Sequence, residues 1–150
     1  MAEGLLKSKL SQELRDHVIV RSAGTLGLSG NRATPFAIVA AQNKGSDISK
    51  HRSRALTERL VMESDIIFAM DEGHRRFLQN EFPQAKENIF LLKEFNTNGS
   101  KVEFPSIEDP IGGSMRIYDL IANEINDEIE RILPTLTRLI RTKISDNLPN

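Results

Sequence analysis

Asp65-Ile66-Ile67-Phe68-Ala69-Met70, then Asp71-Glu72-Gly73-His74 and a helix-forming run to Phe82-Pro83, then Ile89-Phe90-Leu91-Leu92: this stretch reads as strand, helix, strand. The first and last runs are short, continuous and apolar, the pattern of strands buried on both faces. Asp71 is a favoured N-cap residue ahead of a helix predicted over Glu72 to Phe82, and Pro83 stands where that helix must stop. Two buried strands joined by a helix make a βαβ unit, in which the strands run parallel and the helix crosses one face. The predicted fold class is therefore α/β, with a parallel sheet and helices on both faces.

The same alternation extends outward. Val18-Ile19-Val20 is a β-branched run read as a further buried strand, broken by Ser22-Ala23-Gly24-Thr25, with Gly27 and Gly30 lengthening the loop. Thr34-Pro35 has cap-then-proline chemistry and opens a helix over Phe36 to Lys44, ended by Gly45. Asp47 to Arg54 is a polar, basic connector, and a short helix runs from Thr57 to Met62. Upstream, Leu5, Leu6, Leu10 and Leu14 lie on one face of an amphipathic helix predicted over Glu3 to Asp16. Downstream, Asn96 to Ser106 is loop, and Pro105, Pro110, Gly112 and Gly113 punctuate a second loop. Ser114 then caps a long helix carrying Ile117, Leu120, Ile121, Ile125, Ile129 and Ile132, which Pro134 is expected to kink or end. Residues 1–144 are expected to form one domain and residues 145–150 a disordered tail.

Composition narrows the function. A chain of 150 residues argues for one domain. Twenty basic against 21 acidic residues supply no bulk attraction for nucleic acid or an anionic membrane. No apolar run reaches the roughly 18 residues of a membrane span. There are no cysteines, which removes disulfides, thiolate metal sites and a cysteine nucleophile from these residues, and fits a cytoplasmic protein. His17, His51 and His74 fall in three separate segments with no metal-binding spacing, so no metal and no cofactor is expected. Glycine-rich phosphate loops and a G-x-S-x-G elbow are also missing from the sequence.

Ligands in open α/β sheets gather at the carboxyl ends of the strands. The segments there are Ser22 to Thr25, Asp71 to His74 and the loop holding Glu108-Asp109-Pro110. Asp109 is the most suggestive acid: a neighbouring carboxylate favours the protonated form, and a proline holds the backbone in place, both useful to a general acid. An ordinary Asp-Pro turn accounts for the same residues.

Taken in order, these segments resemble the low-molecular-weight protein-tyrosine phosphatase family. Met1-Ala2-Glu3-Gly4-Leu5 is similar to the start of the helix after the family's phosphate loop, and Ser22-Ala23-Gly24-Thr25 to its SAGT segment. Ser49, His51, Ser53, Arg54 and Leu56 match its histidine-containing connector, and Met70-Asp71-Glu72 a strand end. Glu108-Asp109-Pro110, with a long helix after it, matches the loop that supplies the general acid.

The resemblance implies the family's three-layer fold (phosphotyrosine phosphatase I-like) with the first strand and the phosphate loop missing, because the C-x(5)-R-S-P motif belongs immediately before Met1. A chain shortened at its N-terminus is the expectation. The family's first strand lies between those matching Val18 to Val20 and Ile66 to Phe68, which would then have lost their neighbour. In the family mechanism a cysteine thiolate attacks phosphorus, loop N–H groups and an arginine hold the phosphoryl oxygens, and the aspartate protonates the leaving group before activating water. By that resemblance Asp109 is the acid/base, His51 supports the phosphate loop, and Ser22 and Thr25 shape its floor.

The implied activity is a protein phosphatase acting on phosphotyrosine or phosphoarginine in a phosphorylated protein, with the chain as given inactive. Ile111-Gly112-Gly113-Ser114 resembles the bacterial form of the loop, protein-arginine phosphatases included, rather than the aromatic form that stacks on a tyrosine ring. The alternative is a non-catalytic pseudoenzyme that binds a partner protein.

Overall fold

The structure, a computed structural model, describes residues 1–146. Its centre is the βαβ unit. β1 (Ile67–Ala69) and β2 (Ile89–Leu91) pair in parallel, with Ile67 opposite Ile89, Phe68 opposite Phe90 and Ala69 opposite Leu91. Between them run α5 (Glu72–Glu81) and a 3₁₀ turn opened by Pro83 (Pro83–Asn88). Asp71 caps α5 as expected, its Oδ1 accepting the His74 N–H at 2.7 Å.

Alternate strand residues feed opposite faces, as the period of a strand requires. Ala69, Ile89 and Leu91, with Ile67, pack against Val61 of α4 (Glu58–Met62) and Leu78 of α5. Phe68, Phe90 and Met70, with Leu92, face the larger core of α1 (Ala2–Lys9) and α6 (Met115–Asp146). There Leu5, Ile129 and Ile132 are almost fully buried, and Phe95 meets Phe68 and Phe90 edge-on at 5.0 and 5.1 Å. Helices thus cover both faces of a parallel sheet. α3 (Pro35–Gln42), capped by Thr34, lies against α6 through Ala40, Tyr118 and Ala122. Among the described residues no helix is long and apolar enough to cross a membrane.

The outer elements depart from the sequence reading in three places. Val18 to Val20 belongs to no strand, and Ile19 is 77% exposed. A strand exists only where a neighbour accepts its hydrogen bonds, and β1 pairs only with β2 among the described residues, so the sheet has two strands rather than three. The N-terminal helix is two helices. Leu10 turns extended (φ −69°, ψ 137°), and Ser11 starts α2 (Gln12–Arg15) by accepting the Leu14 N–H at 3.4 Å. Of the two outcomes expected at Pro134, α6 does not end there: Ile129, Ile132 and Leu136 are buried on both sides of it, and their packing outweighs the ~3 kcal/mol that a proline inside a helix costs. Lastly, α6 runs to Asp146, so Ser145 and Asp146 are helical although they fall in the segment expected to be a tail; the rest of that segment lies outside the described residues.

One close approach positions the first turn of α1. A Cβ on Gly4 would run into Ile48 Cγ2 and would stand 2.7 Å from Ser46 Oγ. Only glycine lets α1 lie this close to the 46–48 segment, and that contact carries Glu3 to His51.

Candidate active site

The site is built at the carboxyl ends of the two strands and at the start of α1. At the end of β1 the Met70 carbonyl accepts the Ile107 N–H at 2.7 Å, and Ser106 Oγ accepts the Glu72 N–H at 3.2 Å. From the β2 side, Lys93 Nζ donates to the Ser106 carbonyl at 3.4 Å while pairing with Glu124 of α6 at 2.6 Å. Ile107 is 3% exposed and roots the loop in the core.

From this root the chain turns outward and presents Asp109 to solvent. Asp109 Oδ1 accepts the Ile111 N–H at 3.0 Å, the short-range bond for which aspartate is favoured in turns. The Pro110 carbonyl accepts the Gly113 N–H at 2.8 Å, and Gly112 takes φ +78°, which glycine adopts without strain. Two residues later α6 begins and carries Tyr118 into the core, edge-on to Phe36 at 5.8 Å. One oxygen of Asp109 is thus engaged by its own turn, and that turn is anchored on both sides by buried residues. A carboxyl group held this way has the fixed position that proton transfer requires.

The second cluster centres on a residue that its sequence context does not single out. Glu3 Oε1 pairs with Lys7, Ser22 Oγ donates to Glu3 Oε2 at 2.6 Å, and His51 Nδ1 stands 3.8 Å from the same oxygen. Ser22 and His51, far apart in the chain, therefore meet on one carboxylate in the first turn of α1. Thr25 is placed by the bridge in which Gly24 N–H donates to the Arg54 carbonyl at 2.9 Å and Leu56 N–H to the Gly24 carbonyl at 3.0 Å. Its hydroxyl joins neither cluster by a hydrogen bond among the described residues, and no hydrogen bond links Asp109 to the Glu3 cluster. Glu3 is inconspicuous in the sequence because an acid in the first turn is what any helix N-terminus favours; only its partners mark it out.

Burial pushes the Glu3 carboxyl up, but hydrogen bonds from Lys7 and Ser22 and the charges of Lys7 and His51 outweigh it and hold the group below its ordinary 4.5. A carboxyl whose folded value is depressed adds stability above its unfolded value and loses it as pH falls through the folded one. Urea denaturation between about pH 3 and pH 6 is expected to show a shallower acid-side loss for Glu3→Gln than for the parent chain. Identical acid slopes would remove Glu3 as a source of the pH dependence.

Three comparisons bear on this arrangement. Residues 1–143 match the profile of a family described as low molecular weight phosphotyrosine protein phosphatase. The chain is 35% identical over 141 residues to a protein-arginine-phosphatase of Bacillus subtilis, covering 94% of this chain and 87% of that one. It is 30% identical over 139 residues to EpsP of Ralstonia nicotianae, described as a probable low molecular weight protein-tyrosine-phosphatase, covering 93% and 88%. Among solved structures, the arginine phosphatase YwlE from Geobacillus stearothermophilus superimposes with a TM-score of 0.80 at 28% identity, over 99% of this chain and 88% of that one.

Proposed function

The chain belongs to the low molecular weight phosphotyrosine protein phosphatase family, and on that premise we propose that it serves the removal of a phosphoryl group from phosphoarginine in a protein substrate in the cytoplasm. Asp109 is the acid/base: it gives a proton to the departing group and then takes one from the attacking water. Glu3, His51 and Ser22 hold the start of α1 in place, and Thr25 lines the loop beside them. These 150 residues contain no thiol, so they supply the proton-transfer and positioning half of the reaction and not its nucleophile.

The observation that carries this reading is the Asp109 turn, rooted at the carboxyl end of β1 by the 2.7 Å bond from Ile107 to Met70. Two features favour phosphoarginine over phosphotyrosine. The wall after Asp109 is Ile111-Gly112-Gly113, with Ile111 73% exposed and no ring to stack on a phenyl group. The relatives from Bacillus subtilis and Geobacillus stearothermophilus are both described as protein-arginine-phosphatases.

The test uses a chain in which a C-x(5)-R-S-P loop is joined ahead of Met1. Its kcat/KM for a phosphoarginine peptide is expected to exceed that for the matching phosphotyrosine peptide by at least about tenfold, or ~1.4 kcal/mol of transition-state preference. The reverse order would assign phosphotyrosine instead, and turnover of neither would remove the phosphatase reading.

A further inference from the structure

On the flank of α1 a cleft of about 370 Å³ opens between the helix and the 47–54 connector. Lys7, Lys50, His51, Arg52 and Arg54 line it, against two carboxylates, Glu3 and Asp47. Both carboxylates are already engaged. Glu3 holds Lys7 and Ser22, and Asp47 Oδ1 accepts the Ser49 N–H at 2.8 Å. The side chains of Lys50 and Arg54 make no ion pair and no hydrogen bond among the described residues, and Arg52 donates only to the carbonyl of His51, at 2.8 Å.

A fifth cation stands beside the connector. Arg32 and Arg52 face each other across an antiparallel bridge, and like charges directly opposite are destabilising. In a chain of net charge −1, the fold sets Lys7 of α1 beside Lys50, Arg52 and Arg54 of the connector, and those three make no ion pair among the described residues. Arginine forks match phosphate-type oxyanions, and a charge-assisted bond to such a group is about twice as strong as a neutral one.

We propose that this cleft, which shares Glu3 and His51 with the second cluster and has no residue of the Asp109 turn in its lining, is an anion-binding site that takes two adjacent phosphate-type groups. A free diphosphate and a doubly phosphorylated protein segment present the same chemistry. The proposal does not depend on the phosphatase reading, because the site is read by binding and not by turnover.

Isothermal titration of the chain with inorganic pyrophosphate tests it, alongside inorganic phosphate and a peptide with two neighbouring phosphoserines. Pyrophosphate is expected to bind, more weakly as salt rises from about 50 to 300 mM, and at least about tenfold more tightly than inorganic phosphate. Arg52→Ala with Arg54→Ala is expected to weaken binding at least about tenfold, and Lys50→Ala, which breaks no bond within the fold, to weaken it measurably. Arg138→Ala with Arg141→Ala, in a separate groove on α6, is expected to change it less than about twofold. Thermal melts establish that each variant is folded. Binding of both pyrophosphate and the peptide names a protein segment as the source, and of pyrophosphate alone a free anion. No binding of pyrophosphate, equal affinity for one phosphate and two, or equal loss in the α6 variant would overturn the proposal.

Discussion

The 150-residue chain is expected to hydrolyse p-nitrophenyl phosphate and phosphoarginine no faster than buffer does. Covalent phosphoryl transfer divides the work among a nucleophile, donors that hold the phosphoryl oxygens and a proton donor. The sequence contains no cysteine, and Asp109, in the role proposed for it, supplies only the last part. General acid–base catalysis is worth about 10²–10⁴-fold when the other groups are in place. It is worth far less without them, because residues that act as a unit are strongly non-additive: losing the nucleophile of a comparable hydrolase costs about 10⁶-fold in kcat, or ~8 kcal/mol. Time courses of phosphate release with and without the chain, at substrate concentrations well above that of the chain, are the measurement. Catalytic release, or a phosphorylated serine, threonine or histidine found by mass spectrometry after mixing, would show that another nucleophile has taken the thiolate's place.

The contrast between what can and cannot be read from the sequence reflects how local each cause is. Asp71, Thr57 and Thr34-Pro35 cap their helices because a side-chain oxygen meets an N–H three residues away. The strand–helix–strand stretch from Asp65 to Leu92 is legible for a related reason: its two strands pair with each other. Val18-Ile19-Val20 has the composition of a strand, but a strand is completed by a neighbour elsewhere in the chain, and composition does not say whether one is present. Pro134 leaves the outcome open in the opposite sense, to kink a helix or to end it. A proline's local effect is to break a helix, and long-range burial of Ile129, Ile132 and Leu136 overrides it.

The site divides the same way. Asp109 stands in Asp-Pro-x-Gly-Gly, and the turn residues that make the segment visible also fix the carboxyl group. The meeting of Ser22 and His51 on Glu3 depends on Gly4 admitting Ile48 against α1, a contact between segments more than forty residues apart. Nothing in the neighbourhood of Glu3 along the chain announces it.

In the chain carrying a C-x(5)-R-S-P loop, Asp109→Asn is expected to slow turnover by an amount set by the leaving group. The substitution isolates the proton. Asparagine keeps an Oδ1 that can accept the Ile111 N–H now held at 3.0 Å, so the turn and its roots at Met70 and Ser106 stay as they are. p-Nitrophenolate departs as a stable anion and needs little help. Phenolate needs more, and its release is expected to slow about 10²-fold or further. A phosphorylated arginine needs the most, because the breaking P–N bond leaves its electron pair on nitrogen, and guanidine is among the strongest bases in proteins. In the proposed role, a proton from Asp109 converts that nitrogen into part of a neutral leaving group that is protonated again in water. The expected order of loss is therefore phosphoarginine, then phenyl phosphate, then p-nitrophenyl phosphate, with the first two in the range of about 10²–10⁴. An equal loss on all three substrates would mean that Asp109 shapes the site without handling the proton.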